Sequence, residues 1–562
     1  MIVMNIKKLI AEHINMTEEF SDTDFEALIS ESISNDKGDY SLPCFVFSKA
    51  LHKSPQAIAE SLLTQITNDG LFDKVEVVGG YVNFFLNKEY VSKNILTRFD
   101  ISELTLNDGD SRLVLIDYCS PNVAKALHIG HLKTTIIGES LARLFTQCGY
   151  RVKRVNFLGD YGTPFGKIIG GLLKWGSFEE VRARGIDALQ DYYIRFCKEE
   201  ADDEALQQYA RDIFQKIEQK DAEIYPIYQY IVEIALDSAK EMFSTLGVSF
   251  DDYRGEMYYN QYVPKIIDEL KQKGLLVQSQ DAQIVDLNDY DLSTAVMLKN
   301  DGTTLYLTRD ISAVVSRYQE YKFDKILYVT DVAQVLHFKQ LSKIIELMGY
   351  PFSKDIEHVP YGRYSLPDGK ISSRKGKQAV LVDLIDYIKQ KATEVIKGRS
   401  FTIERPDAVV EKVARAVLNY SVLKVERTKD CVFDTERAFS FDGETAPYML
   451  YTYTRLASIL RKYTDESISA DFSCFDNDAF ELVKYINDFT ATMRIALEKR
   501  DSSILAKRIM DMCKAFNKFY TTNKVLDGNA NTTSAKIQLV RALRDTLKVG
   551  FNLICIDTLE EM

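Results

Sequence analysis

The chain is predicted to be an α/β protein built on a doubly wound parallel sheet, with a small α/β domain before it and a helical bundle after it. Three features predict this: probable strands at 113–116, 151–157 and 325–330, helical periods that follow them, and helical periodicity throughout 406–562. Alternating strands and helices form parallel sheets, whose strands are buried on both faces. We expect three domains, which are 1–105, 106–405 with a helical insertion around 175–255, and 406–562.

Composition favours an ordinary globular protein of the cytoplasm. The 562 residues are 46% hydrophobic and 27% charged, and no apolar run approaches the length of a membrane helix. The eight cysteines are scattered, without a C-x-x-C pair, so neither disulfides nor structural zinc are expected. A net charge of −12 argues against binding nucleic acid through overall charge, although a local basic face remains open.

The central stretch is LVLIDYCSPNVAKALHIGHLKTTIIGESLARLFTQCG, residues 113–149. It predicts a buried strand, a loop, and an amphipathic helix from about Leu127 that Gly149 ends. His128 and His131 lie where this helix begins, and free N–H groups with two imidazoles suit a phosphate. Gly130 would let a nucleotide approach the backbone. A zinc site is disfavoured, because no further ligand lies nearby in the sequence. If only the four residues HIGH at 128–131 are considered, plain surface histidines remain possible.

The string SPNVAKALHIGHLKTTIIGE resembles the HIGH segment of class I aminoacyl-tRNA synthetases, and specifically of the arginyl family. A second string, LPDGKISSRKGK at 366–377, is cationic and rich in hydroxyls, which alone would describe an exposed basic loop. Because it follows the HIGH segment, it resembles the family's KMSKS loop, with residues 370–374 (KISSR) in the place of KMSKS. Arg374 replaces the second lysine with Lys375 beside it, so which cation meets the pyrophosphate stays open.

Resemblance to the same family extends over nearly the whole chain. GDYSLPCFVFSKAL and GGYVNFFLN resemble its N-terminal domain, which contacts the tRNA elbow, and FDGETAPYMLYTYTRLASILRK resembles its anticodon-binding bundle. Composition alone would describe the aromatic residues of that last string as helical core. GDYGTPFG, at 159–166, resembles a loop that borders the family's active site.

After the helical insertion, the alternation of strands and helices resumes at DGTTLYLTRDISAVVSRY. The pattern predicts a turn at 301–302, a strand at 304–307, and Thr308 as the N-cap of a helix to about Tyr321. A buried strand at 325–330 and a helix at 338–348 follow.

The resemblance implies ATP-dependent activation of arginine and its transfer to the terminal adenosine of tRNA(Arg). His128 and His131, with Lys125 and Gly130, would meet ATP near its α-phosphate. The loop would hold the leaving pyrophosphate, with magnesium carried in on ATP, through Lys370, Ser372, Ser373, Arg374 and Lys375.

Arginine needs carboxylates for its guanidinium. By position in the family, Asp117, Asp310 and Tyr306 match the groups that bind it, although relatives carry Glu where Asp117 stands. Asn122 and Gln334 match the residues that hold the substrate's carboxylate and amino groups, and His337 is placed in the nucleotide pocket. Capping of a helix start is the alternative role for both aspartates.

We expect tRNA(Arg), arginine and ATP as partners, a monomer without membrane contact, and no tightly bound metal or organic cofactor. The resemblance also implies that activation needs tRNA. Two rivals remain: a small-molecule nucleotidyltransferase, which would not need the bundle, and a non-catalytic tRNA-binding relative, which would tolerate loss of both histidines.

Overall fold

A computed structural model describes residues 5–15, 20, 23–32, 37–122, 127–279, 282–299, 304–366, 380–397, 406–464 and 468–561. The first domain packs helices on an antiparallel sheet with the order β1-β2-β4-β3. Its elements are α1 Ile6–Glu12, α2 Phe25–Leu28, β1 Ser30–Glu31, β2 Tyr40–Pro43, α3 Ser48–Leu51, α4 Pro55–Leu63, β3 Phe72–Val78, β4 Tyr81–Leu86 and α5 Lys88–Leu96.

The second domain is built on a four-stranded parallel sheet, accompanied by smaller sheets. Its strands are β5 Leu113–Tyr118, β6 Arg151–Val155, β7 Val277–Ser279, β8 Ala282–Val285, β9 Ala295–Lys299, β10 Lys325–Asp331, β11 Ile356–Tyr361, β12 Tyr364–Ser365 and β13 Cys431–Val432. The parallel sheet has the order β11-β10-β5-β6. The chain moves from β5 to β6 on one side and later to β10 and β11 on the other, so strand order reverses between β5 and β10. Open α/β sheets bind ligands at such a switch point, beyond the carboxyl ends of the strands.

Helices surround this sheet and then form the C-terminal bundle. In the catalytic region they are α6 Ile129–Gln147, α7 Thr163–Trp175, α8 Phe178–Arg184, α9 Ile186–Glu199, α10 Glu204–Glu218, α11 Ile224–Leu246, α12 Glu256–Asn260, α13 Val263–Gln272, α14 Tyr306–Tyr321, α15 Val335–Leu347 and α16 Leu381–Lys397. The bundle contains α17 Pro406–Leu423, α18 Ala446–Arg461, α19 Asn477–Asn487, α20 Phe489–Lys499, α21 Ser503–Thr522 and α22 Ala530–Leu553. Within the described part of the chain, no helix has the length and apolarity needed to cross a bilayer.

Helix α6 joins the sheet to the bundle. Most of its length is buried, and the Ser140 hydroxyl donates a hydrogen bond to the Leu553 carbonyl oxygen at 2.6 Å. At Gly138 an added Cβ would lie 2.2 Å from Cγ of Tyr118, so only glycine lets α6 lie this close to β5. The two histidines therefore lie at the start of a helix that packs tightly against both β5 and the bundle.

The doubly wound sheet and the three strand predictions are confirmed, but the prediction for 304–308 was wrong. Helix α14 begins at Tyr306, and Leu305 before it is extended, with φ −101° and ψ 168°. Thr308 is no cap, because it is buried in the first turn, where its hydroxyl donates to the Met297 carbonyl oxygen at 2.6 Å. A short apolar run does not distinguish a strand from a buried helical turn.

Two further predictions need adjustment, and one cannot be compared. The loop predicted at 159–166 ends early, since α7 begins at Thr163, after Gly162 at φ +113°. The predicted helical periodicity of the bundle includes one segment, 477–499, that is divided at Asp488 into α19 and α20. The turn predicted at 301–302 lies outside the described residues.

Candidate active site

The predicted site residues gather around the switch point of the parallel sheet. Asp117 is the fifth residue of β5 and lies opposite Tyr328 of β10 and Val155 of β6. Helix α6 follows β5 and α15 follows β10, so both helix starts face the edge where the strands end.

His128 and His131 cap the start of α6 reciprocally. The backbone N–H of Gly130 donates to Nδ1 of His128 at 3.1 Å, and that of His128 donates to Nδ1 of His131 at 3.1 Å. Because both Nδ1 atoms accept, each neutral ring carries its proton on Nε2. Burial and the neighbouring His128 lower the pKa of His131 to about 3. His131 is therefore a neutral donor at pH 7, and it does not act as a cation.

Gly130 fits its position for a reason that the sequence did not reveal. A Cβ added there would lie 2.8 Å from Cε1 and 3.0 Å from Nδ1 of His128, so the missing side chain makes room for that ring. The close approach of a nucleotide to this backbone stays a prediction.

Most of the predicted phosphate loop lies outside the described residues, but the residues that flank it are described. Lys125, Lys370, Ser372, Ser373, Arg374 and Lys375 lie outside the described residues. The flanks are described: β12 precedes the segment 367–379, and Val380, directly after it, forms an antiparallel bridge with His128. The Leu381 N–H donates to the Leu127 carbonyl oxygen at 2.8 Å. The described chain thus resumes after the segment 367–379 beside the histidine cap.

Asp117 is already paired within the protein. Its side chain is 2% exposed, and Oδ2 accepts a hydrogen bond from Nη1 of Arg317 at 2.6 Å. Oδ1 accepts from the Ser120 hydroxyl at 2.9 Å. Burial raises the pKa of Asp117, and Arg317 opposes that rise. In this conformation, Asp117 offers almost no surface to a substrate guanidinium.

Asp310 and Tyr306 are presented on the first turns of α14, four residues apart and so on one face. Tyr306 is 68% exposed. Asp310 is partly buried and accepts a hydrogen bond from Nε2 of His337 at 2.6 Å. His337, which was predicted for the nucleotide pocket, thus contacts the acid predicted for arginine. Neither aspartate caps a helix, because Asp310 is the fifth residue of α14 and Asp117 lies in a strand.

Asn122 and Gln334 both lie near the ends of the two central strands. Asn122 forms a parallel bridge with Gly159, whose N–H donates to the Pro121 carbonyl oxygen at 2.9 Å. Gln334 is exposed and is the N-cap of α15. Their positions agree with a substrate between β5 and β10, and their contacts with arginine stay a prediction.

Sequence reasoning missed a second charged pair beside Asp310. Nε of Arg309 donates to Oε2 of Glu256 at 2.6 Å, and both side chains are buried. The Arg309 guanidinium carbon lies 4.7 Å from the ring centroid of Tyr161 and 4.9 Å from that of Tyr306. Burial raises the pKa of Glu256 to about 7. Arg309 therefore stacks against the tyrosine that was predicted to meet the substrate.

In the part of the chain that the structure describes, no three His, Cys, Asp or Glu side chains group as metal ligands would.

The histidines cap a helix at the switch point of a parallel sheet, and a family model assigns the chain to the class I aminoacyl-tRNA synthetases. The family model "tRNA synthetases class I (R), catalytic domain" matches residues 94–435. "Arginyl tRNA synthetase N terminal domain" matches 4–86, and "DALR anticodon binding domain" matches 449–562. The chain belongs to the arginyl-tRNA synthetase family.

Curated relatives and solved structures agree with this membership. The chain is 38% identical over 560 residues to an arginine–tRNA ligase of Halothermothrix orenii, covering 99% of this chain and 98% of the relative. It is 37% identical to that of Pediococcus pentosaceus, with both chains covered in full. The fold resembles the Thermus thermophilus arginyl-tRNA synthetase, with a TM-score of 0.81 at 22% identity over 95% of this chain and 96% of that one. The Plasmodium falciparum enzyme gives a TM-score of 0.80 at 22% identity, over 99% and 98%.

Proposed function

We propose that the groups around the β5–β10 switch point carry out the reaction of this family, the ATP-dependent attachment of arginine to tRNA(Arg). As a member of the family, the chain activates arginine with ATP and transfers it to the 3′-terminal adenosine of tRNA(Arg). The site therefore has to hold a nucleotide, an amino acid and a tRNA end together. Translation takes place in the cytoplasm, which is the compartment that we propose.

In the first step, arginine's carboxylate attacks the α-phosphate of ATP and pyrophosphate leaves. Such a transfer mainly needs alignment and stabilisation of developing negative charge. The Nε2–H groups of His128 and His131 supply neutral donors for the α-phosphate. Lys370, with Ser372, Ser373 and one of Arg374 and Lys375, holds the pyrophosphate of the MgATP substrate, and Lys125 is a further phosphate contact.

The amino acid lies between α14 and the ends of the two central strands. Asp310 binds the guanidinium with Tyr306 beside it, while Asn122 and Gln334 hold the substrate's carboxylate and amino groups. A carboxylate that pairs with a guanidinium in bidentate geometry favours arginine over lysine, whose ammonium is a point charge.

Transfer to tRNA uses the outer domains. We propose that residues 1–105 contact the body of the tRNA and that residues 406–562 bind its anticodon end, with the catalytic region between them acting as a monomer. The family models for the N-terminal and anticodon-binding domains lie within these ranges and support the division.

The observation that carries this proposal is the bridge between His128 and Val380, because it places the first described residue after the segment 367–379 at the histidine cap. The test is charging of total tRNA with each of the twenty amino acids, using the wild type and the variants His128→Asn and Lys370→Ala. Arginine alone is charged by the wild type, and each variant slows charging about 100-fold or more. Full activity of both variants, or charging with another amino acid, would overturn the proposal.

A further inference from the structure

Arg309 lies on the first turn of α14, within stacking reach of two aromatic rings. Its guanidinium carbon is 4.7 Å from the ring centroid of Tyr161, in the loop after β6, and 4.9 Å from that of Tyr306. A guanidinium within about 6 Å of a ring centroid is attracted to the face of the ring. Arg309 thus joins the loop after β6 to the tyrosine that we assign to the substrate.

The guanidinium is fixed by groups other than these rings. Its Nε donates to Oε2 of Glu256 at 2.6 Å. Its Nη1 donates to the Thr304 carbonyl oxygen at 3.0 Å and to the Thr304 hydroxyl at 2.9 Å. Only 6% of the Arg309 side chain is exposed. Because a guanidinium is planar, these hydrogen bonds set the plane against which the Tyr306 ring rests.

Glu256, the partner of Arg309, is itself held in place. Its N–H donates to the Leu158 carbonyl oxygen at 3.0 Å, and the next N–H, that of Met257, donates to Oδ1 of Asp160 at 2.8 Å. A buried cation without a partner is costly. Here the carboxylate also cancels a positive charge that would otherwise repel a second guanidinium bound beside α14.

Tyr306 itself is mostly open to solvent. Its side chain is 68% exposed, and it lies on the same helical face as Asp310. An exposed side chain loses rotamer freedom when a ligand orders it, and this loss weakens binding. Arg309 follows Tyr306 by three residues, which makes the two side chains neighbours on the helix surface. The ring therefore has a preferred resting place before the substrate arrives.

We propose that Arg309 is a positioning residue for arginine recognition, which holds the ring of Tyr306 ready for the substrate guanidinium while Glu256 neutralises it. This inference rests on the proposed function of the site. The buried guanidinium of Arg309 acts through Tyr306. It therefore bears on the binding of the amino acid, and the chemistry at the α-phosphate is not its task.

The test compares Arg309→Met, Arg309→Lys, Tyr306→Leu and the double variant Tyr306→Leu/Arg309→Met with the wild type. Methionine removes both the charge and the planar group. Lysine keeps a cation beside Glu256, so this variant is expected to fold, but it lacks the planar fork that reaches Glu256 and Thr304 together. The double variant shows whether Arg309 acts through Tyr306.

The control is Arg254→Gln, at the far end of the same helix. Arg254 also lies over a tyrosine ring, 4.9 Å from the centroid of Tyr258, and it donates to Glu320 of α14 at 2.7 Å. KM for arginine, KM for ATP and kcat are measured in tRNA charging at pH 8. Burial raises the pKa of Glu256 to about 7, so this acid is mostly ionised there. Thermal unfolding identifies variants that do not fold.

We expect Arg309→Met to raise KM for arginine roughly 3- to 10-fold and Arg309→Lys about two- to fivefold. KM for ATP, and both KM values of the control, should change less than about twofold. In the Tyr306→Leu background, Arg309→Met should add less than about twofold, because both substitutions remove one device.

Three results would overturn the inference while wild-type charging with arginine leaves the function standing. They are an unchanged KM for arginine in every Arg309 variant that folds, an equal rise in KM for ATP, and fully additive effects in the double variant. A wild type that charges no arginine overturns the function, and the inference with it.

Discussion

Replacing Asp310 by Asn tests the assignment of the substrate acid. The variant keeps the shape of the side chain and an acceptor for His337, but it loses the charge that faces the guanidinium. Truncating one partner of a buried charge pair costs about 2–5 kcal/mol. Asp310 is 19% exposed, which favours the lower half of that range. A loss of about 2–3 kcal/mol corresponds to a rise in KM for arginine of roughly 30- to 150-fold.

The assay is tRNA charging at saturating ATP and tRNA with arginine varied. KM for ATP should stay within about twofold, because the carboxylate faces the amino acid. Glu320→Gln is the matched control, since it removes one carboxylate from the far end of the same helix, where 43% of the side chain is exposed. If Asp310→Asn raised KM for arginine less than about threefold, or no more than the control does, Asp310 would not be the substrate acid.

Further predictions concern the histidine cap, the loop, the tRNA and the packing of α6. Because its pKa is lowered to about 3, the His131 ring should stay deprotonated as pH falls from 7 to about 4. Its NMR ring resonance, assigned by substituting the six histidines one at a time, should therefore not shift over this range. A titration midpoint near pH 6 would contradict this. Lys370→Ala should slow charging about 100-fold and Lys377→Ala less than about threefold, whereas equal effects would remove the special role of Lys370. Arginine-dependent ATP–pyrophosphate exchange should be negligible until tRNA is added, and strong exchange without tRNA would reject that requirement. Gly138→Ala should lower the free energy of unfolding by about 1–3 kcal/mol in denaturant titration, because its methyl group meets the Tyr118 ring, and an unchanged midpoint would show that the ring can move.

The two central strands, β5 and β10, could be predicted because they are largely buried and their sequences are apolar runs. The prediction of a strand at 304–307 failed, because α14 begins within this run, at Tyr306, and the Thr308 hydroxyl donates to the Met297 carbonyl oxygen. Propensity could not settle this, since the outcome depends on what the buried turn packs against. The correction matters, because it places Tyr306 on the same helix as Asp310.

The candidate site was predictable wherever function follows the local sequence. The helix start at His128 and the acid at the end of β5 both follow from spacing along the chain. The ion-pair partner of Asp117 could not be predicted in this way, because Arg317 lies 200 residues away and only the fold brings the two together. One local signal was available: Arg317 follows Asp310 by seven residues, which places a cation on the same helical face as the predicted substrate acid.

A crystal structure with ATP and a non-reactive arginine analogue tests the central claim most directly, that one nucleotide is held between the histidine cap and the cationic loop. The claim predicts the α-phosphate within hydrogen-bonding distance of Nε2 of His128 or His131, Lys370 at the terminal phosphates, and the guanidinium on Asp310. A nucleotide bound away from the start of α6, or a guanidinium paired with a different acid, would contradict it.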